Sequence, residues 1–309
     1  MRFITDETHF RFMERRGVAA IVSALLIIGS IVAIVAKGLN FGIEFTGGVE
    51  LEAGFAEAVD VDDVRLKLAD SGYDDAQVLY FGTQRDVMVR IPPQEAEGGV
   101  VREQLLTVLR QIEPEVTARS FSVVYPQIGA EVAEAGSLAM VFVLLMIFIY
   151  IMFRFQWRFS MGAVAALVHD VIITVGFFAV FQFQVDASVI AAVLAVVGYS
   201  LNDTVVVFDR IRENFLSLRG EEPIGVIDRS INQMLARTII TGITTLLVLA
   251  ALLVFGGESV HSFSVALIVG IVVGTYSSIY VASAVALRLG VNAKDLLPPE
   301  PDEAIDELP

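Results

Sequence analysis

Val196-Val-Gly-Tyr-Ser-Leu-Asn-Asp-Thr-Val-Val-Val-Phe-Asp-Arg-Ile-Arg-Glu-Asn214 lies mostly within an apolar run that opens near Ala187 and places Asn202 and Asp203 inside it. Asp209, Arg210, Arg212 and Glu213 follow as residues that belong in water. An aspartate therefore sits at membrane depth, where an ionisable side chain costs roughly 2.5–3.5 kcal/mol unless it faces protein or water. Such a residue is a functional candidate, and it needs a partner.

The rest of the chain has the same character. Of its 309 residues 55% are hydrophobic, and the mean hydropathy is +0.70, whereas an ordinary soluble domain is about 45–50% apolar. Six stretches, 17–36, 135–153, 159–181, 187–208, 238–257 and 262–287, are long enough to cross a hydrocarbon core of ~30 Å as helices. This predicts an α-helical integral membrane protein with six transmembrane helices. The net charge of −15 is carried by two regions outside these stretches. Residues 37–135 hold 8 basic and 18 acidic side chains, and the tail 291–309 holds 1 and 6. With no basic face, nucleic acid is excluded as a partner. Without cysteine there is no disulfide framework or thiolate nucleophile, and three histidines without an i, i+4 partner make no metal site.

Arg2, Arg11, Arg15 and Arg16 precede the first apolar stretch, whose length exceeds the ~7–15 residues of a signal-peptide core; an uncleaved first helix with the N-terminus in the cytoplasm is expected. The short connections support that orientation. Arg154 and Arg158, then Arg210, Arg212, Arg219 and Arg229, then Arg288 and Lys294 fall on one side, while 182–186 and 256–261 contain no Lys or Arg. Residues 1–36 are thus a cytoplasmic start and first helix, 37–135 an external domain, 136–290 the other five helices, and 291–309 an acidic cytoplasmic tail.

The external segment alternates as a strand over 48–55, has helical spacing over 61–71, shows two strands around the turn-forming 82–85, and ends in a helix (100–112) and a strand (116–124). That order predicts an α+β, ferredoxin-like domain. Phe41-Gly-Ile-Glu-Phe-Thr-Gly-Gly48 lacks the Lys-Ser/Thr ending of a phosphate loop. Gly42, Gly47 and Gly48 are expected to form a turn into the first strand, with glycines suited to a hinge between helix and domain.

Arg237, Thr241 and Thr244 or Thr245 form one polar stripe at the start of the fifth helix. Asp203 lies about 7.5 Å from the same end of the fourth at 1.5 Å per residue, so Arg237 is its expected partner; snorkelling to headgroups is the alternative. Tyr199 lies one turn from Asp203 and continues the polar track. His169 and Asp170, in the middle of the third helix, are adjacent and so expected to point about 100° apart, either as packing hydrogen-bond formers or as a proton relay. Gly270, Gly274, Ser278, Ala282 and Ala286 make a small-residue groove on the sixth helix, for an internal contact or for another subunit.

Three motifs, 41–48, His169-Asp170 and 197–214, together resemble SecF, the smaller membrane subunit of the bacterial SecDF protein-export machinery. The resemblance covers nearly the full length; Glu44 stands where many relatives are expected to carry Asp, and the acidic tail lies outside the pattern. It implies one half of a resistance-nodulation-division-like assembly in the inner membrane, partnered by SecD, with YajC as an accessory, beside the SecYEG translocon. It implies use of the proton-motive force, with no other cofactor, to promote translocation of preproteins; this is transport, not enzyme catalysis. Asp203 would be the proton-carrying carboxylate and Arg237 its basic neighbour, with Asn202, Tyr199, Asp170 and His169 around them. A proton-coupled solute exporter and a passive scaffold are the rival expectations.

Overall fold

The computed structural model describes residues 8–94, 96–218, 220–257 and 260–292. The tail read as 291–309 lies outside them apart from its first two residues. Among the described residues six helical spans are long and apolar enough to cross a membrane. They are α1 (Arg16–Lys37), α5 (Pro126–Arg154), α6 (Trp157–Phe181), α7 (Ala187–Ser217), α8 (Pro223–Phe255) and a last span made of α9 (His261–Ser277), a π turn (Ser278–Ala282) and α10 (Ser283–Arg288). In α6 and in the last span half of the apolar window is buried inside the protein, against 11% for α1 and 6% for α5. The bundle is thus centred on α6, α7 and α9, with α1, α5 and α8 turned largely outward.

Small residues set the closest crossings. A side chain at Gly176 would collide with Ser30 of α1, one at Gly270 with Val196 of α7, and one at Gly162 with the Ala282 carbonyl in the π turn. The small-residue groove of the last helix is therefore filled from within, by α6 and α7.

Hydropathy marks where a helix leaves the bilayer and not where it ends. α7 continues to Ser217, well beyond Phe208, and α8 begins at Pro223, well ahead of Thr238. Proline in its first turn pre-sets φ and loses no hydrogen bond there. These extensions pack as a hairpin: Asn214 Nδ2 donates to Ser230 Oγ and Gln233 Oε1, both at 2.8 Å, and Arg210 Nε donates to Gln233 Oε1 at 2.6 Å.

Between α1 and α5 lie β1 (Asn40–Phe41), α2 (Ile43–Thr46), β2 (Gly48–Gly54), α3 (Val61–Asp70), β3 (Gln77–Phe81), β4 (Thr83–Ile91), α4 (Gly98–Leu109) and β5 (Thr117–Val124). The sheet order β3-β4-β2-β5, antiparallel throughout, is ferredoxin-like. Alternation decides its faces: Val49, Leu51, Val87 and Val89 join Val64, Leu68, Leu105 and Leu109 in a core under the two helices. Glu50, Glu52, Met88 and Arg90 occupy the other face. Asp60 starts α3 as its cap, accepting from the Asp62 amide at 2.9 Å.

The octapeptide 41–48 is more than a turn into the first strand. It contains one helical turn, α2, and strand β1 pairs in parallel with β6 (Gln184–Val185), the link between α6 and α7.

Candidate functional site

The most enclosed polar cluster surrounds Asp170, which is fully buried in α6. Ser200 Oγ of α7 and Ser277 Oγ of α9 donate to Asp170 Oδ2 at 2.6 and 2.7 Å. Its other oxygen lies 2.9 Å from His169 Nδ1. With the proton on Nδ1, Asp170 accepts from three donors, and His169 Nε2, 3.2 Å from Ser23 Oγ of α1, is free to accept. Tyr276 extends the network: its ring stacks on His169, and its hydroxyl lies 3.0 Å from Ser23 Oγ and donates to the Ala19 carbonyl at 2.8 Å. Four helices are thereby tied at one depth.

The expectation that His169 and Asp170 point apart fails here. Their Cβ vectors diverge by about 100°, but two short side chains on one turn can fold toward each other once the surrounding hydroxyls fix the carboxylate.

Asp203 is built differently. It is 7% exposed, and among the described residues its one hydrogen-bond donor is Thr238 Oγ1 of α8, at 3.1 Å. No ion pair or hydrogen bond joins Asp203 to Arg237, although the guanidinium lies within electrostatic range. The expected direct partner is thus displaced by one residue: α8 turns Thr238 inward, and the neighbouring position, about 100° round the helix, leaves Arg237 exposed. Tyr199 stands beside Thr245, so hydroxyls from α8 face α7 at both ends of the pair. Asn202 is exposed on the flank of α7. Ser200 lies one turn from Asp203 on α7 and donates to Asp170, which places it between the two carboxylates. Ser23, Ser200, Ser277, Tyr276 and Thr238 were not singled out in the sequence. The available signal was a hydroxyl at i−3 from Asp203 and hydroxyls at the centre of otherwise apolar helices.

Outside the membrane spans, the joint between bundle and domain is close-packed. The Gly42 amide donates to the Val185 carbonyl at 2.8 Å. Arg90, buried on the sheet's open face, donates to Glu50 at 2.6 Å and to Gln184 Oε1 at 2.5 Å. Gly47 and Gly48 hold φ of +69° and +133°, and an added side chain would meet Pro126 and the Ile91 carbonyl. Gly42 has ordinary backbone angles but no room beside Gln184. Glu44 is held there with its carboxyl shifted above the usual range by burial, reinforced by Asp186 and Glu50.

Among the described residues no group of three His, Cys, Asp or Glu is placed to hold a metal ion.

Comparison with known proteins fits this architecture. Residues 104–292 match the family described as protein export membrane protein SecD/SecF, C-terminal, and residues 32–59 match the SecD/SecF GG motif, which includes Gly47 and Gly48. The chain is 46% identical over its full length to the protein translocase subunit SecF of Vibrio alginolyticus, covering 99% of that protein. It is 44% identical to that of Haemophilus influenzae, over 96% of this chain and 91% of the relative. The chain belongs to the SecF family. Among solved structures, SecDF from Thermus superposes with a TM-score of 0.84 at 35% identity over 93% of this chain. SecDF in a super-membrane-facing form gives 0.70 at the same identity over 92%. The chain spans 39% of either longer chain. The fold class expected from the sequence, six spans with an external α+β domain as one resistance-nodulation-division-like half, is the one observed.

Proposed function

We propose that this chain, a subunit of a SecDF complex acting in protein translocation, couples the proton-motive force to preprotein movement through Asp203. Its partner in the membrane is SecD, with YajC as an accessory and SecYEG as the channel served. It sits in the bacterial inner membrane with both termini cytoplasmic, in keeping with the arginine distribution. It is a non-catalytic subunit and uses no cofactor besides the proton gradient.

The observation that carries this reading is the under-supplied coordination of Asp203. One neutral hydroxyl does not satisfy a carboxylate, which has about four acceptor sites, so the site favours a group that gains and loses a proton as its surroundings change. Arg237, near but unpaired with it, supplies the changing part: its approach favours the carboxylate, and its withdrawal favours the neutral acid. Ser200, Asp170 and His169 offer an inward continuation. The close-packed joint through Gly42, Gly47, Gly48 and the α6–α7 link transmits helix movement to the external domain. A solute exporter is disfavoured, because the relatives described above are named as translocase subunits.

The test is export of a slow preprotein into inverted vesicles containing the full complex, with the gradient present or collapsed by an uncoupler. Asp203→Asn should abolish the gradient-dependent increment while leaving assembly with SecD intact. Arg237→Lys, which keeps charge without the planar fork, should retain part of it. An Asp203→Asn complex that responds to the gradient like the parent would make Asp203 a packing residue.

A further inference from the structure

A groove of about 580 Å³ opens toward the bilayer between α1, α6 and the end of the last helix. Its walls are small and apolar, with Ala20 and Ala24 on one side and Ala165, Val168 and Ala284 on the other. Along α1 it runs from Arg16 to Ile27, which at 1.5 Å per residue is about 16 Å, the depth of one leaflet of a ~30 Å core. Spread over that length, the volume makes an elongated apolar slot along α1. Its shape and lining suit a hydrocarbon chain.

The mouth is cationic. Arg16 and Arg288 flank it, Arg16 donating to the neutral Met13 carbonyl at 2.9 Å, and neither makes an ion pair among the described residues. Trp157, half exposed beneath the Arg158 guanidinium at 5.4 Å, marks the headgroup level at the same end of α6. The deep wall includes Ser23 and His169. We propose that this groove binds one anionic phospholipid of the leaflet at the Arg16 end, its phosphate between Arg16 and Arg288 and one acyl chain along α1. The bound chain would also cover the bilayer-facing edge of the His169 network with hydrocarbon.

Native mass spectrometry of the full chain in mild detergent, offered equal amounts of phosphatidylglycerol and phosphatidylcholine with the same acyl chains, tests this. Phosphatidylglycerol adducts should prevail about thirtyfold, the factor two basic side chains contribute near an anionic headgroup. Arg16→Gln combined with Arg288→Gln should bring the ratio near one. Ala165→Phe, which fills the groove, should lower retention of both lipids at least tenfold; Ala24→Phe does the same from the opposite wall should the first variant fail to accumulate. Four results would overturn the proposal: equal retention by the parent, a preference that survives loss of both arginines, displacement of phosphatidylglycerol by inorganic phosphate, or a crosslink from Ile27→p-benzoylphenylalanine in native membranes that captures protein and not phospholipid.

Discussion

Asp170 and Asp203 are both carboxylates buried in apolar helices, and they are kept in opposite ways. Asp170 has no exposure and accepts from Ser200, Ser277 and His169, on α7, α9 and its own helix. Asp203, on the flank of the bundle, has one donor among the described residues, Thr238, an exposed neighbour in Asn202 and a cation close by without contact. The first is complete within this chain. The second leaves acceptor sites unfilled, as suits the proposed group whose coordination is finished by a proton or by Arg237. On the proposed reading, what separates the two is not burial but the number of donors around the charge.

The contrast can be broken by removing Asp170 in one variant and the donor of Asp203 in another, and measuring stability. Asp170→Ala strands three donors and should cost roughly 2–4 kcal/mol, at about 0.6–1.5 per hydrogen bond lost. It should appear as a large fall in the unfolding midpoint of the detergent-purified protein. Thr238→Val, which takes the one donor from Asp203 without changing volume, should cost only about 0.6 kcal/mol. Export into vesicles should nevertheless change its dependence on pH, because the carboxylate loses the hydrogen bond that favours its charged form. Equal destabilisation by the two substitutions would erase the distinction.

The smallest effect concerns a third carboxylate, Glu44, at the joint outside the membrane spans. Burial raises its pKa in the folded protein, so it favours the folded joint below the ordinary carboxylate range, and that contribution is lost as pH rises through the raised value. Glu44 is only half buried and solvent screens it. Relative to Glu44→Gln, the parent should therefore show a small fall of unfolding midpoint between acid and neutral pH. A parent that gains stability over that range would reverse the assignment.

The spans and the external domain were legible because each rests on a periodicity the chain repeats many times: length of apolar run for the helices, alternation and turn residues for β2 to β5. What escaped depends on single contacts. The parallel pairing of Asn40 with Gln184 joins residues far apart in the chain through two-residue strands, too short for any pattern. Asp203 announced itself by cost, but the partner expected from the sequence was Arg237, and one residue of helix phase gives that place to Thr238. Arg237 looked favourable on charge; Thr238 has the direction. The hydroxyls around Asp170 were silent because serine is common in membrane helices, and only the packing of α1, α7 and α9 against α6 brings them to one place.

The π turn at Ser278–Ala282 has a consequence for the whole last helix. In an uninterrupted α-helix, positions four residues apart drift about 40° at each step, so a stripe running from Gly270 to Ala286 would wind well away from its starting face. Gly270, Gly274, Ser278, Ala282 and Ala286 are nevertheless all buried. The wider turn acts as a phase correction, holding back the rotation so that the stripe keeps its bearing on α6 and α7. Winding the same residues as a regular α-helix would rotate everything beyond by about 100°, swinging Ala286 out of the core and Arg288 off the mouth of the groove, whereas deleting one residue from the turn would leave both where they are.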